Sequence, residues 1–358
     1  MSPPLSPDDR AALLAMASIA SFGPKRLQAA LALGPPARTW ARLVARHVPT
    51  MRRCGLDRPV PVDVDPEQIR SRHTALGVDV IVPGDPDWPA ALEEDPDPPV
   101  LLLTSAPLPT GPAVAVVGTR RCTGYGRAVA ARLGAELAEA GVVVVSGLAA
   151  GIDAAAQRAA YDTGTAPVVG VIGSGPDVIY PRRNERLWRD LAAGGVLVGE
   201  TPAGGQPLKW RFPARNRIIA ALSDIVVVVE SRTAGGSMHT VDAAQERARP
   251  VMAVPGPITS PASAGTNRLL AEGCAPVCDT DDVLVALGLA AAERIRCAVQ
   301  LDPADAQLLD ALGWEPSTVD EVVQRSGLGL AEVSRRLAEL SVRGAVRDSG
   351  GWWERVAR

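Results

Sequence analysis

From residue 112 onward the chain alternates short, bare apolar runs with longer segments whose apolar positions recur every three or four residues. "PAVAVVG" is followed by "GRAVAARLGAELAEAG", which ends on a glycine suited to a helix C-cap. The pairing repeats: "VVVVSG" with a helix from Ile152, "VVGVIGSG" with a helix near 185–191, "GVLVGE" with a helix from Arg215, "DIVVVVE" with a helix from Ser237, and then "PVMAVPG". Runs without polar alternation are those of strands buried on both faces. The pattern predicts about six or seven strands between 112 and 285, in a mostly parallel, extended Rossmann-like α/β sheet with helices on both faces.

The flanks read differently. Residues 8–48 carry short helical patterns broken at "SFGPKR", where Gly23 and Pro24 form either a turn that offers backbone N–H groups to phosphate or a plain packing hairpin. Residues 61–111, from "PVDVDPEQ" on, read as a linker and lead-in. At the other end three helical patterns and "AVRDSGGWWERV", two short strands about an Asp-Ser-Gly-Gly turn, predict a winged helix-turn-helix over 300–358. Arg335 and Arg336 fall on its third helix, and Arg343 and Arg347 at the wing. Yet residues 301–358 hold seven basic and ten acidic side chains, the reverse of a phosphate-binding balance, so protein contact or packing is expected there ahead of duplex recognition.

Composition narrows the function classes. A 358-residue chain with 47% hydrophobic residues and formal net charge -3 is expected to fold as two or three domains, and it is no general polycation. The first residues lack a basic n-region and apolar h-region, and no apolar run is long enough for a bilayer; a cytoplasmic location without membrane contact is the expectation. Cysteines at 54, 122, 274, 278 and 297 are odd in number, and Cys274 with Cys278 lacks a completing ligand pair, so no disulfide framework, metal or cofactor is predicted.

Against that acidic balance, "KWRFPARNR", Lys209 to Arg217, concentrates four basic and two aromatic residues. Glycine-bearing loops follow the predicted strands, where an open α/β sheet exposes its crevice. They supply Gly118, Arg120, Gly124 and Gly126 in the first, and Gly147, Gly151 and Asp153 in the second. The third holds Asp177, Tyr180, Pro181 and Asn184, and the fourth Gly235, Gly236 and Ser237 at a helix start suited to an anion. The first loop is neither a dinucleotide fingerprint nor a Walker A motif. Phe212 or Trp210 offers a face to an unstacked base, Pro213 suits a helix start, and Arg215 and Arg217, two apart, diverge on a helix. No catalytic set emerges: Ser146 and Ser174 lack a nearby histidine, His239 reads as a core or capping residue, and Asp177, Glu200 and Asp242 stand far apart in sequence.

The combination of "VGTR" with "GYGR", "SGLAAGID", "GSGPDVIYPRRN", "FPARNRIIAALSD" and "VPGPITSPASAGTNRLL" resembles the DprA/Smf family of DNA-processing proteins of bacterial natural transformation. The resemblance implies a non-enzymatic single-stranded-DNA-binding mediator that protects incoming DNA, helps load the RecA recombinase and dimerises through its Rossmann-like domain, with at most weak duplex contact. It also implies a helical N-terminal domain (1–60, SAM- or helix-hairpin-helix-like), a DNA-binding domain (112–290) and the winged-helix-like domain. On the matching positions Gly118, Thr119 and Arg120 would receive phosphate, Lys209, Phe212 and Arg217 would line the DNA path, and Arg215 and Asn216 would shape it. The chain departs from the family at Ala150, where a basic residue is common, and at Gln157, where a histidine is. The alternatives are a nucleotide or phosphoribohydrolase, with Asp242 as its acid although "AGGSMHT" lacks half of that motif, and a protein scaffold acting through the acidic C-terminal module.

Overall fold

The computed structural model describes residues 5–56, 64–289, 302–313, 316–342 and 345–355, so Cys297 and Arg343 lie outside the described residues. The chain divides into two compact units, residues 1–290 and 291–358.

The first unit begins with five helices: α1 Pro7–Ser18, α2 Pro24–Leu31, α3 Pro36–Val44, α4 Val48–Arg53 and α5 Pro66–Ala75. Each carries proline in its first two positions, where the missing N–H costs nothing and the fixed φ suits the helix. α1 is the central member, with "AALLAMA" buried throughout. Its Leu13, Leu14 and Met16 pack with Phe22, Trp40 and Leu43, and with Val100, Leu101 and Leu103 of the next segment.

That segment is more than a linker. α5 is capped by Asp65, and β1 Asp79–Ile81 and β2 Leu102–Thr104 join the main sheet as antiparallel strands, β2 pairing with β6. Strands of three residues are too short to display a period, which is why the sequence pattern does not announce them.

The remaining elements follow the predicted alternation: β3 Ala113–Val117, α6 Gly124–Glu139, β4 Val143–Ser146, α7 Ile152–Thr163, β5 Val168–Ile172, α8 Glu185–Gly194, β6 Val196–Gly199, α9 Arg211–Ala221, β7 Ile225–Val228, α10 Met238–Glu246, β8 Val251–Ala253, α11 Ala264–Ala271, β9 Ala275–Pro276 and α12 Thr280–Ala286. The sheet order is β1-β2-β6-β5-β4-β3-β7-β8-β9, and β6 through β9 along that order are parallel. Successive residues of β3 feed opposite cores. Val114 and Val116 pack with Leu133, Ile152 and Leu191 of α6–α8, whereas Ala115 and Val117 pack with Ile218, Val241 and Leu269 of α9–α11.

α9 starts at Arg211, four residues before the predicted Arg215, so Pro213 falls within the first turn and its absent N–H removes no bond. The chain steps from β3 outward to β6, then crosses back to place β7 on β3's other side. The switch point therefore lies at the carboxyl ends of β3 and β7, where such sheets open a crevice.

The second unit contains α13 Pro303–Leu312, β10 Ser317–Thr318, α14 Val319–Ser326, α15 Leu330–Val342, β11 Val346–Ser349 and β12 Trp352–Arg355. Leu308, Leu312, Val322, Val333, Leu337 and Val346 form its core. The hairpin gains a third strand, β10, paired to β12 through Ser317 and Thr318.

Candidate nucleic-acid interface

A crevice of about 800 Å³ opens at the switch point, walled by the loops after β3 and β7 and by the start of α9. Its back wall is built by interlocked glycines. At Gly118 a methyl group would stand 2.6 Å from the Ile152 side chain and 2.8 Å from the Glu230 carbonyl, so only glycine lets β3, β7 and α7 approach this closely. Gly151, at φ +89°, brings the β4 loop onto Thr119: its Cβ would lie 2.3 Å from the Thr119 carbonyl. The Thr119 amide donates to the Glu230 carbonyl at 2.7 Å. Gly118 and Thr119 thus line the crevice on a rigid backbone.

Arg120, Arg121, Lys209 and Arg232 are exposed along this crevice, and among the described residues none has an ion-pair partner. The Arg120 guanidinium lies 5.4 Å from the centre of the Phe212 ring, and Tyr180 stacks against Phe212 with centroids 5.3 Å apart and planes tilted by 36°. Behind this aromatic wall a smaller recess is lined by Gly147, Ala150, Gly173, Trp188 and Arg183.

Arg215 behaves differently from the exposed cations. It lies buried beneath the floor, donating to the Gly147 carbonyl at 2.8 Å and to the Val171 carbonyl, with Nε on the Asn216 side chain at 3.2 Å. Burial pulls its pKa down to about 10, with Asp153 opposing the shift, so the side chain stays charged at neutral pH. Burial in turn pushes the Asp153 carboxyl up, against the pull of Arg215 and of the Gly147 amide, which donates to Oδ2 at 3.1 Å. Asp153 is the one acid among the crevice residues, and it is matched from below. Asn216 ties α9 to the fourth loop through the Gly236 carbonyl at 3.3 Å, while Ser237 donates to Ser231 Oγ at 2.8 Å. Gly235, Gly236 and Ser237 all line the crevice.

Several expected residues stand elsewhere. Arg217 points away from the crevice: its side chain is 8% exposed and pairs with Glu200 at 2.6 Å and Asp97 at 3.1 Å. Two positions along a helix turn it well away from Arg215, and the largely buried Glu200 carboxylate and the half-exposed Asp97 claim it. Gly124 and Gly126 do not wall the crevice either, because the start of α6 is already occupied. Thr123 Oγ1 accepts from the Gly126 amide at 3.1 Å, and the buried Glu230 carboxylate accepts from the Thr123 amide at 2.9 Å. A Cβ on Gly126 would stand 2.3 Å from that carboxylate, so the glycine makes room for a side chain rather than a phosphate.

Asp177 binds Arg72 and the Gly204 amide, outside the crevice wall, and Asn184 donates to the Leu148 carbonyl at 2.8 Å. Gln157, fully buried, accepts from Leu148 N and donates to the Ser146 and Val169 carbonyls, bracing the second loop with an uncharged amide. His239 is exposed at the crevice rim, 3.9 Å from Asp242, not buried in the core. Arg121 and Arg232 were not among the predicted contacts; the dibasic "TRRC" and the arginine preceding "TAGG" were their only signals. The Gly23–Pro24 turn faces Trp210: a Cβ added at Gly23 would stand 3.7 Å from its ring.

Among the described residues no group of three or more His, Cys, Asp or Glu converges on a metal-sized site, and no helix is long and apolar enough to cross a membrane.

The chain is similar to known proteins over most of its length. Residues 79–288 match the family described as DNA recombination-mediator protein A, and residues 290–351 the DprA winged helix domain. A Mycobacterium tuberculosis relative is 43% identical over 248 residues, covering 67% of this chain and 64% of its own length, so the alignment spans under two thirds of that protein. Protein Smf of Synechocystis is 30% identical over 330 residues, 81% of this chain and 83% of that one. Among solved structures, DNA processing protein A of Streptococcus pneumoniae superposes with a TM-score of 0.63 at 32% identity, over 79% of this chain and 98% of that one. The Helicobacter pylori protein, described for its single-stranded DNA binding mode, has a TM-score of 0.53 at 30% identity, over 59% and 95%. The chain belongs to the DprA/Smf family of DNA-processing proteins.

Proposed function

We propose that this protein is a single-stranded-DNA-binding recombination mediator whose crevice at the β3–β7 switch point holds the strand. The observation that carries the reading is the crevice's charge pattern. Four exposed cations without ion-pair partners among the described residues, Arg120, Arg121, Lys209 and Arg232, surround glycine-built loops, and the single acid, Asp153, is matched by Arg215. Phosphates satisfy such cations, and the Tyr180–Phe212 pair offers a face to bases that duplex pairing would hide. Family membership supports the wider role: handling of incoming DNA in natural transformation or related processing, delivery to the RecA recombinase, and action as a cytoplasmic homodimer.

The hydrolase alternative finds less support. Asp177 is engaged with Arg72 and Glu200 with Arg217, and Asp242 lies 3.9 Å from His239 on an exposed helix face.

Titrating wild type and an Arg120→Ala/Lys209→Ala double variant with single-stranded DNA across a salt series tests the site. Loss of two phosphate contacts lowers the slope of log affinity against log salt by about 1.4, at about 0.7 per contact for single strands. Identical affinities and slopes would overturn the assignment.

A further inference from the structure

α5 lies outside the crevice, yet two of its side chains hold the loop that delivers Lys209 to it. The connection from β6 to α9 runs over residues 200–210, with Gly204 at φ +82°. His73, 1% exposed, sits between the Ile69 carbonyl, 2.8 Å from Nδ1, and the Ala203 amide, which donates to Nε2 at 3.0 Å. A carbonyl only accepts and an amide N–H only donates, so the ring is neutral with its proton on Nδ1. The preceding Arg72 donates to Asp177 Oδ2 at 2.6 Å, and Asp177 Oδ1 accepts from the Gly204 amide at 2.7 Å. Two consecutive loop amides therefore end on α5, one directly and one through Asp177.

We propose that His73 is a positioning residue for DNA binding: its neutral imidazole, backed by the Arg72–Asp177 pair, fixes the 201–210 loop so that Lys209 faces the crevice, and protonation of the ring releases that loop. The inference rests on the single-stranded-DNA reading of the crevice. An imidazolium would set an Nε2–H donor against the Ala203 N–H donor and leave a charge in a buried site. Burial favours the neutral ring and holds the His73 pKa below its ordinary value. Arg72 acts in the same direction, while the Ile69 carbonyl and Asp177 act against it.

The sign follows from a lowered folded-state value. The anchoring is complete above the ordinary histidine range near pH ~6.5 and is lost as pH falls through the lower folded value. Acidification makes the protein more positive and by itself strengthens phosphate attraction, so a loss of affinity in acid runs against simple electrostatics.

The experiment measures amide hydrogen-exchange protection at Ala203 and Gly204 in the full-length, DNA-free protein, together with affinity for oligo-dT, between about pH 7.5 and about pH 5. Wild type, His73→Ala and His73→Gln are compared. The glutamine carboxamide oxygen accepts from the Ala203 amide and does not titrate. Wild type is expected to lose protection and about tenfold in affinity in acid, His73→Gln to keep both, and His73→Ala to lack both even at neutral pH. Protection lost without a change in affinity, or an acid response in His73→Gln equal to wild type, overturns the proposal. If His73→Ala fails to fold, the glutamine comparison decides alone. Wild type without oligo-dT affinity at neutral pH overturns the DNA reading instead, and amide protection then decides the strap independently.

Discussion

Arg215 and Arg217 share one helix and one charge, and the face each occupies separates their roles. Arg215 braces the crevice floor from below, against Asp153 and two carbonyls, and Arg217 locks Glu200 on the far side. Burial pushes the Glu200 carboxyl up while Arg217 holds it down, so removing the arginine strands a buried carboxylate. Arg217→Ala is expected to cost about 3 kcal/mol of folding stability in denaturant unfolding, whereas Arg120→Ala costs almost none and acts on DNA affinity instead. Phe212→Ala should weaken single-strand binding by about 1–3 kcal/mol through loss of a stacked base, read by fluorescence titration at fixed salt. The family resemblance implied Arg217 on the DNA path, and side-chain direction turns it elsewhere. The sequence shows that two residues diverge, but which of them meets the crevice depends on packing partners brought from Asp97 and Glu200.

At the level of elements, the alternation of bare apolar runs and helical periods was legible because the central strands are buried on both faces and need no polar positions. What it did not show is how close neighbouring elements come. Gly134 lies in the interior of α6, where glycine costs about 1 kcal/mol relative to alanine, and nothing in the pattern marks it. Its Cβ would stand 2.2 Å from the Ala156 carbonyl of α7, so the two helices pack backbone to backbone. Gly134→Ala is therefore expected to destabilise by about 3 kcal/mol despite its higher helix propensity, measured as a lower denaturation midpoint with unchanged slope. The start of α6 teaches the same lesson: its glycine-rich approach reads as an anion site, and the anion turns out to be the protein's own Glu230.

On the scale of the whole molecule, every crevice residue comes from the first unit, between Val117 and Thr240. A chain ending at residue 289 should keep its preference for single-stranded over duplex DNA in a competition titration, and loss of that preference would move the function into the second unit. Within that unit α15, the helix that would read DNA in a winged-helix module, pairs its arginines internally. Arg336 binds Asp302, Asp305 and Glu332, and Arg335 binds Glu339. Cations already neutralised release few counterions on meeting a duplex, which favours protein contact or packing for this module.

The sequence by itself determined the parallel α/β sheet, the winged-helix-like end and the family, because buried strands, helical periods and glycine-loop order are written locally along the chain. It also located the basic stretch beside the strand ends. Only the tertiary structure decided which charges reach the crevice. It added Arg121 and Arg232, withdrew Arg217, Gly124 and Gly126, extended the sheet through β1 and β2, and brought His73 to the loop carrying Lys209. Those outcomes depend on which carboxylate, carbonyl or amide from a distant segment arrives within hydrogen-bonding distance, and that is set by packing, not by local sequence.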